Sequence, residues 1–421
     1  MTQVGIIGAL FSLVALRWAF IQSTNARVAI FVLMLLMHLG ASIAYYLYVQ
    51  DNSADTALYY FDPYHFAGMR GGTGTWFTIN LVQTMKTWFN GSYLDYFLIF
   101  QSIGFWGLVL IARTIEEVAI ELRVEQPTIV YLCLFLPGLY FWTSAIGKDA
   151  PLFFASCLAL WSAVQIQRRY VGFGFAVALM FPFRPHISLI ALIALVGALA
   201  FDRRTHIAMR AALAVLVVVA IGIVAATLRS AMQVDVSSLS SVADFLATQN
   251  QVNAADGSSL ADLPFYVKVF SQLFRPLFVD ASGLLGLVAS FENLFVILMV
   301  GTLVRQWRLV AELTRKVAFF RYAMLFTTVM TFFLSAIFYN VGLGLRQKTM
   351  MMPTLIILYV VAVLVMQARR HAAGAGSGGP QTPSRAGLLS SAAGRAFATL
   401  RPVAPERGLD LLVPDTDPSA G

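Results

Sequence analysis

Apolar runs fill most of this chain, and all but two of the polar breaks between them are short. Reading each long run as a membrane helix gives about eleven spans. They lie near Val4–Phe20, Val28–Tyr48, Tyr93–Ala112, Thr128–Trp142, Pro151–Ile166, Val171–Phe183, Ile187–Phe201, Ile207–Leu228, Leu284–Val304, Tyr322–Tyr339 and Met352–Met366. Several fall short of the roughly 20 residues that a full crossing takes. The short ones cluster between Thr128 and Phe201. Short or broken helices in a membrane line places where loose backbone groups find partners, commonly a wet cavity. The pattern predicts an all-α polytopic membrane protein over residues 1–368, with broken helices around an outward-facing cavity.

Two polar stretches carry a helical period of their own. Val82, Met85, Trp88 and Phe89 recur as one face of an amphipathic helix lying on the bilayer. In Pro264–Pro276, Lys268, Ser271, Gln272 and Arg275 share one face and aromatic residues the other. Residues 369–421 begin with a basic pair and turn rich in Gly, Ala, Ser and Pro, which predicts a disordered cytoplasmic tail.

Composition agrees with a membrane bundle. The 421 residues are 59% hydrophobic and only 12% charged, against about 25% charged in a soluble domain. A net charge of +8 would suggest nucleic acid in a soluble protein. Here the basic residues flank apolar runs, so they read as orientation signals and nucleic acid is not an expected partner. Cys133 and Cys157 both fall inside apolar runs, which argues against a disulfide framework or a zinc site. The first run lacks a basic leader and contains Arg17, as a retained helix would.

Orientation follows from the loops. Taken alternately, one set of loops holds fifteen Lys and Arg and the other nine, spread over longer loops. The richer set should be cytoplasmic. That places the N-terminus outside and the C-terminus inside. Every polar cluster then falls on the outer side: Asp51–Met85, Lys148–Asp149, Arg184–His186, Arg229–Asp280 and Arg346–Lys348.

These clusters carry the chemistry. Asp51 and Asp55 precede Tyr59 and Tyr60 in an Asp- and Tyr-rich loop. A carboxylate there can take a proton from a sugar hydroxyl or hold a divalent cation, or it can be an ordinary solvated loop start. Lys148 and Asp149 read either as a neutral pair at a helix end, with Asp149 favouring the helix dipole, or as a cation set out for a ligand. Arg184, followed by Pro185 and His186, stands at the rim, where a guanidinium suits bidentate phosphate binding or snorkels to headgroups. Arg346 and Lys348 lead through Pro353 into the last span. Glu292 is a carboxylate inside an apolar run, able to pair with one of these cations. No P-loop, GxGxxG, HExxH, CxxC or Gly-x-Ser-x-Gly pattern is present, so ATP-driven transport and zinc hydrolysis have no support.

Four features together resemble the GT-C-type glycan-assembly enzymes, including bacterial exopolysaccharide and O-antigen polymerases. They are the loop ADTALYY at Ala54–Tyr60, the Trp-Thr-Ser-x-x-x-Lys-Asp segment at Trp142–Asp149, Arg184 at a helix end, and the Arg/Lys segment before the last span. The resemblance implies a glycosyltransferase or polymerase using a polyprenyl-(pyro)phosphate-linked sugar or oligosaccharide on the outer face. It implies Asp55 at the acidic loop position and Lys148, Arg184 and Arg346 at the lipid phosphate. Membrane lipid and polysaccharide assembly or export proteins are the implied partners. No cofactor is certain, and a divalent cation is open. Many members carry adjacent acidic residues where this chain has Asp51 and Asp55 spaced. A transporter or flippase for a lipid-linked saccharide, or a non-catalytic assembly subunit, would use the same cations for binding alone.

Overall fold

The computed structural model describes residues 2–21, 25–52, 54–61, 72–122, 124, 128–200, 263–338 and 340–375, with some helical positions between 207 and 222. Every regular element among them is a helix. Six helices are long and apolar enough to cross a membrane, which marks a multi-pass membrane protein. They are α1 (Gln3–Phe20), α2 (Asn25–Asp51), α5 (Tyr93–Leu122), α12 (Gly283–Arg305), α14 (Ala318–Ala336) and α16 (Met352–Ala375). Shorter helices fill the rest: α3 (Asp55–Phe61), α4 (Thr75–Trp88), α6 (Thr128–Leu132), α7 (Pro137–Thr143), α8 (Asp149–Val164), α9 (Ile166–Phe183), α10 (Pro185–Ala200), α11 (Phe265–Phe274), α13 (Trp307–Lys316) and α15 (Val341–Lys348).

The hydropathy pattern predicts about eleven crossings; among the described residues six helices have the length and apolarity of one, and the expected spans Pro151–Ile166, Val171–Phe183 and Ile187–Phe201 fall on α8, α9 and α10, which are not among the six. The run Thr128–Trp142 is two short helices, because Pro137 has no N–H to carry the ladder across the join. The expected span Ile207–Leu228 lies largely outside the described residues. The predicted tail boundary at 369 falls within α16, whose Arg369 pairs with Glu312 at 2.8 Å. Residues beyond 375 lie outside the described part.

The central helix is α5. Thirty residues at 1.5 Å each make about 45 Å, against about 30 Å of hydrocarbon, so its last turns reach past the apolar layer. Those turns carry Arg113, Glu116 and Glu117. Its other face takes α1, whose Val4, Gly8, Ser12, Ala15 and Ala19 form a buried stripe of small side chains. A β-carbon added at Gly8 would sit 2.9 Å from the Leu98 carbonyl carbon, so the two backbones touch there.

The broken helix is held by polar groups within the bundle. Ser12 donates to Gln101 (3.3 Å), and the Gln101 amide meets His38 Nδ1 (3.1 Å). The amide donates, so the ring proton sits on Nε2 and is given to the Thr143 hydroxyl at 3.0 Å. Ser42 donates to the Ser144 carbonyl at 3.1 Å. Gly104 makes room: a β-carbon there would lie 2.1 Å from the Thr143 backbone carbonyl oxygen. The non-helical stretch from Ser144 to Gly147 is thereby fixed, and it leads directly to Lys148.

The bundle has two polar ends. At one, Glu116 pairs with Arg113 (2.7 Å) and Arg27 (3.8 Å), and Glu117 pairs with Arg169 (2.8 Å), whose guanidinium stacks on Trp161. The described members of the predicted outer clusters Asp55, Lys148–Asp149, Arg184 and Arg346 gather at the other. The charge count predicts that the first end is cytoplasmic, and this is testable with native Cys133 and Cys157 fully buried. A cysteine at Asn52, which is exposed beside the second end, should react with an impermeant thiol reagent on spheroplasts. One at exposed Gln167, beside Arg169, should not. The reverse pattern would turn the second end to the cytoplasm and remove the outer-face reading.

Candidate functional site

Arg346 sits near the end of α15, a short helix whose Asn340 side chain caps it by accepting the Gly342 N–H at 2.7 Å. Its guanidinium bridges two carboxylates from far along the chain. Nη1 donates to Asp55 Oδ2 at 2.6 Å and Nε to Asp149 Oδ2 at 2.5 Å. Asp149 opens α8, where the helix dipole favours an anion, and its side chain is only 6% exposed. Asp55 opens α3 and is 47% exposed. Tyr59, one turn further along α3, is fully buried. Gly147 lies against its ring, and a β-carbon there would be 3.3 Å from it. Asp149 Oδ1 and the Tyr59 hydroxyl are both buried without a hydrogen-bond partner.

Two further cations flank this bridge. Lys148 does not pair with its neighbour Asp149, as a helix-end pair would; Nζ donates to the Thr75 hydroxyl at 3.0 Å. The start of α4 is stitched to the end of α9 by Gly74 N–H to Pro182 O at 2.8 Å. Helix α9 runs through Pro182 and stops only at Arg184, whose extended backbone (φ −150°, ψ 90°) is what a residue before proline adopts. Pro185 then opens α10, as proline commonly does. The Arg184 side chain has no hydrogen-bond or ion-pair partner among the described residues, although it lies in the fields of Asp149, Arg346, Tyr59 and Asp55. Among the described residues three cations thus face two carboxylates, and Arg184 is the uncommitted cation.

The electrostatics follow from this crowding. Burial pushes the Asp55 carboxyl up, but Arg346, its hydrogen bond, Lys148 and Arg184 more than offset that, and the group ends below its ordinary value. Arg346 is held well above its ordinary value by Asp149 and Asp55 in spite of burial. Burial, then Arg184, lowers Lys148 to about 8. An anion favours protonated Lys148, so binding should weaken as pH rises through about 8, where the proton is lost. Thermal protection by sulfate, whose charge is constant over this range, should therefore fall between pH 7 and 9. Lys148→Arg should flatten the profile, and an unchanged slope in that variant would assign the effect elsewhere.

Other expected site residues lie apart. Lys348 is buried on another side of α15, donating to the Asn293 side chain and to the Leu273 carbonyl at 3.4 Å. Glu292 accepts the Gly138 N–H at 2.6 Å, one of the backbone donors left free where α7 begins, and its charge acts on Lys348. Asn293 also donates to Pro276 O at 2.8 Å. This second buried group anchors α15, and so Arg346, to α12. Tyr60 points away from the cluster; its hydroxyl donates to Gly91 O at 2.8 Å, and Lys86 lies 4.1 Å over its ring. His186 packs on Phe333 with ring centroids 4.7 Å apart, and its Nε2 is buried without a partner. Asp51 ends α2, exposed to solvent and outside the Arg346 bridge. Among the described residues no three His, Cys, Asp or Glu come together as a metal site.

The sequence reading missed Thr75, Gly147 and the His38–Gln101 seam. His38 and Gln101 were visible as polar residues inside long apolar runs, where such residues usually have a task. On the polar face of α11, Ser271 and Gln272 are buried, and Gln272 donates to Gly344 O at 3.3 Å, while Tyr266 and Phe270 point outward. Comparison with family models, curated proteins and solved structures gives no match.

Proposed function

We infer that this chain transfers a sugar or glycan repeat from a polyprenyl-(pyro)phosphate carrier at the outer face of the membrane. The observation that carries this reading is the Arg184 guanidinium, partnerless beside Lys148 and the Asp55–Arg346–Asp149 bridge. Cations gathered at the rim suit a phosphate that leaves with growing negative charge, because fixed positive charge stabilises that growth in the transition state. Asp55 is exposed enough to meet an acceptor hydroxyl and ionised to act on it. The lipid of the donor enters sideways between helices, so that its phosphate meets the cluster from the bilayer.

The test is the pool of lipid-linked glycans in a strain lacking the protein. The donor should accumulate, and wild type should clear it. Asp55→Asn should insert and fold normally yet leave the donor uncleared, since Asn keeps the size and loses the charge. Near-normal clearance by Asp55→Asn would remove Asp55 as the acid/base group.

A further inference from the structure

The Tyr59 hydroxyl is the least explained group in the cluster. It is fully buried, its proton has no acceptor, and it lies beside Arg346 in the fields of Asp55 and Asp149. Arg346 approaches it, but a guanidinium only donates, so it cannot take the phenol's proton. Folded proteins seldom leave such a group unsatisfied without a use for it. Phenylalanine would fill the same space at no such cost.

Asp55 and Tyr59 are one turn apart on α3 and so share a face, and Arg346 binds that face through Asp55. A carboxylate and a phosphoryl group present a guanidinium with the same feature, two oxygens in one plane. Asp55 therefore stands where a phosphoryl oxygen would stand. It is also the loosely held partner of Arg346, being 47% exposed against 6% for Asp149.

We propose that a phosphoryl group entering the cluster replaces Asp55 on Arg346 and accepts the Tyr59 hydroxyl. Tyr59 is then a ligand-binding residue, and Asp55 is a carboxylate released by binding. This rests on reading the cluster as a phosphate site. One anion comes in as another turns out, while Arg346 keeps Asp149. Once released, Asp55 loses the guanidinium that holds its basicity down and becomes a better acceptor of a hydroxyl proton. The base is freed only when the phosphate donor is in place, which orders the reaction donor first.

The experiment is thermal unfolding of the purified protein in phosphatidylcholine nanodiscs at matched ionic strength. One arm adds inorganic phosphate, and the other includes phosphatidic acid in the bilayer. Without ligand, Tyr59→Phe should melt at or above wild type. Its protection by the phosphoryl probe should need about tenfold more probe, the loss of one hydrogen bond to a charged group. Asp55→Asn should bind more tightly than wild type, because its side chain no longer competes as an anion. Protection in the lipid arm assigns the group to a lipid head, and in the phosphate arm to a free ion; either supports the exchange.

A ligand-free Tyr59→Phe that melts lower would give the hydroxyl a structural partner and overturn the proposal. Equal protection of wild type and Tyr59→Phe would do the same, as would Asp55→Asn binding no more tightly than wild type. No protection of wild type in either arm removes the phosphate reading and the exchange with it. Tyr59-dependent protection in a protein that transfers no glycan keeps the exchange and removes only the transfer reaction.

Discussion

Arg346→Ala should abolish transfer and destabilise the protein at once. The variant leaves Asp149, 6% exposed, as a buried carboxylate with no bonded cation. Removing one partner of a buried ion pair costs about 3–5 kcal/mol. The Asp55 side of the bridge contributes far less, since a pair with one member 47% exposed falls near the surface range of about 0–1 kcal/mol. Asp55→Ala should therefore melt close to wild type while losing activity, and Arg346→Ala should melt well below it. Arg346→Lys keeps a charge but has a single nitrogen, so it cannot hold both carboxylates in the same fork. It should recover part of the stability and little of the transfer. The double variant Arg346→Met with Asp149→Asn, which removes both buried charges, should recover stability without activity. Thermal unfolding and glycan transfer per inserted molecule measure the two effects separately. Equal melting of Asp55→Ala and Arg346→Ala would contradict the assignment of Asp149 as the buried anchor.

Arg184 should show the opposite balance. Its side chain has no hydrogen-bond or ion-pair partner among the described residues to lose. Arg184→Ala should thus melt close to wild type and well above Arg346→Ala, and be inactive. If Arg184 only snorkelled, Lys would replace it, since Lys also reaches headgroups. If it grips a phosphate through two parallel hydrogen bonds, Lys loses one of them. A hydrogen bond to a charged group is worth about 1.5–3 kcal/mol, and each 1.36 kcal/mol of barrier is about tenfold in rate. Arg184→Lys should therefore fold and insert normally and transfer about tenfold more slowly or worse. Wild-type turnover by Arg184→Lys would return the residue to lipid anchoring and shift the phosphate to Lys148 and Arg346.

What the sequence made legible here is the charge. A Lys, Arg or Asp next to an apolar run has few reasons to be there, and Asp55, Lys148, Arg184 and Arg346 do converge at one end of the bundle. The alternation of loops that sorted them reflects chain direction: α2, α8 and α9 each carry one polar end group into the cluster or away from it. Pairing was not legible. Arg346 meets Asp149 across 197 residues and Asp55 across 291, and no local period records such a contact. Lys148 and Asp149 are neighbours in sequence, yet one turns to Thr75 and the other to Arg346. Lys348, two residues from Arg346, was grouped with it by proximity; its buried amine is instead tied to Asn293. The break at Pro137 hid inside an apolar run because hydropathy does not register where a ladder is interrupted.

The most direct measurement is transfer by the purified protein. Wild type and Arg184→Ala would be reconstituted in vesicles containing the lipid extract of the deletion strain, with no nucleotide sugar added. The lipid-linked glycan would be followed by mass spectrometry. Wild type should consume the accumulated donor, release its polyprenyl phosphate or pyrophosphate and form a transferred or lengthened glycan, while Arg184→Ala should leave the donor intact. A donor pool untouched by wild type, or consumed equally by Arg184→Ala, would contradict a glycan-transfer site built on these cations.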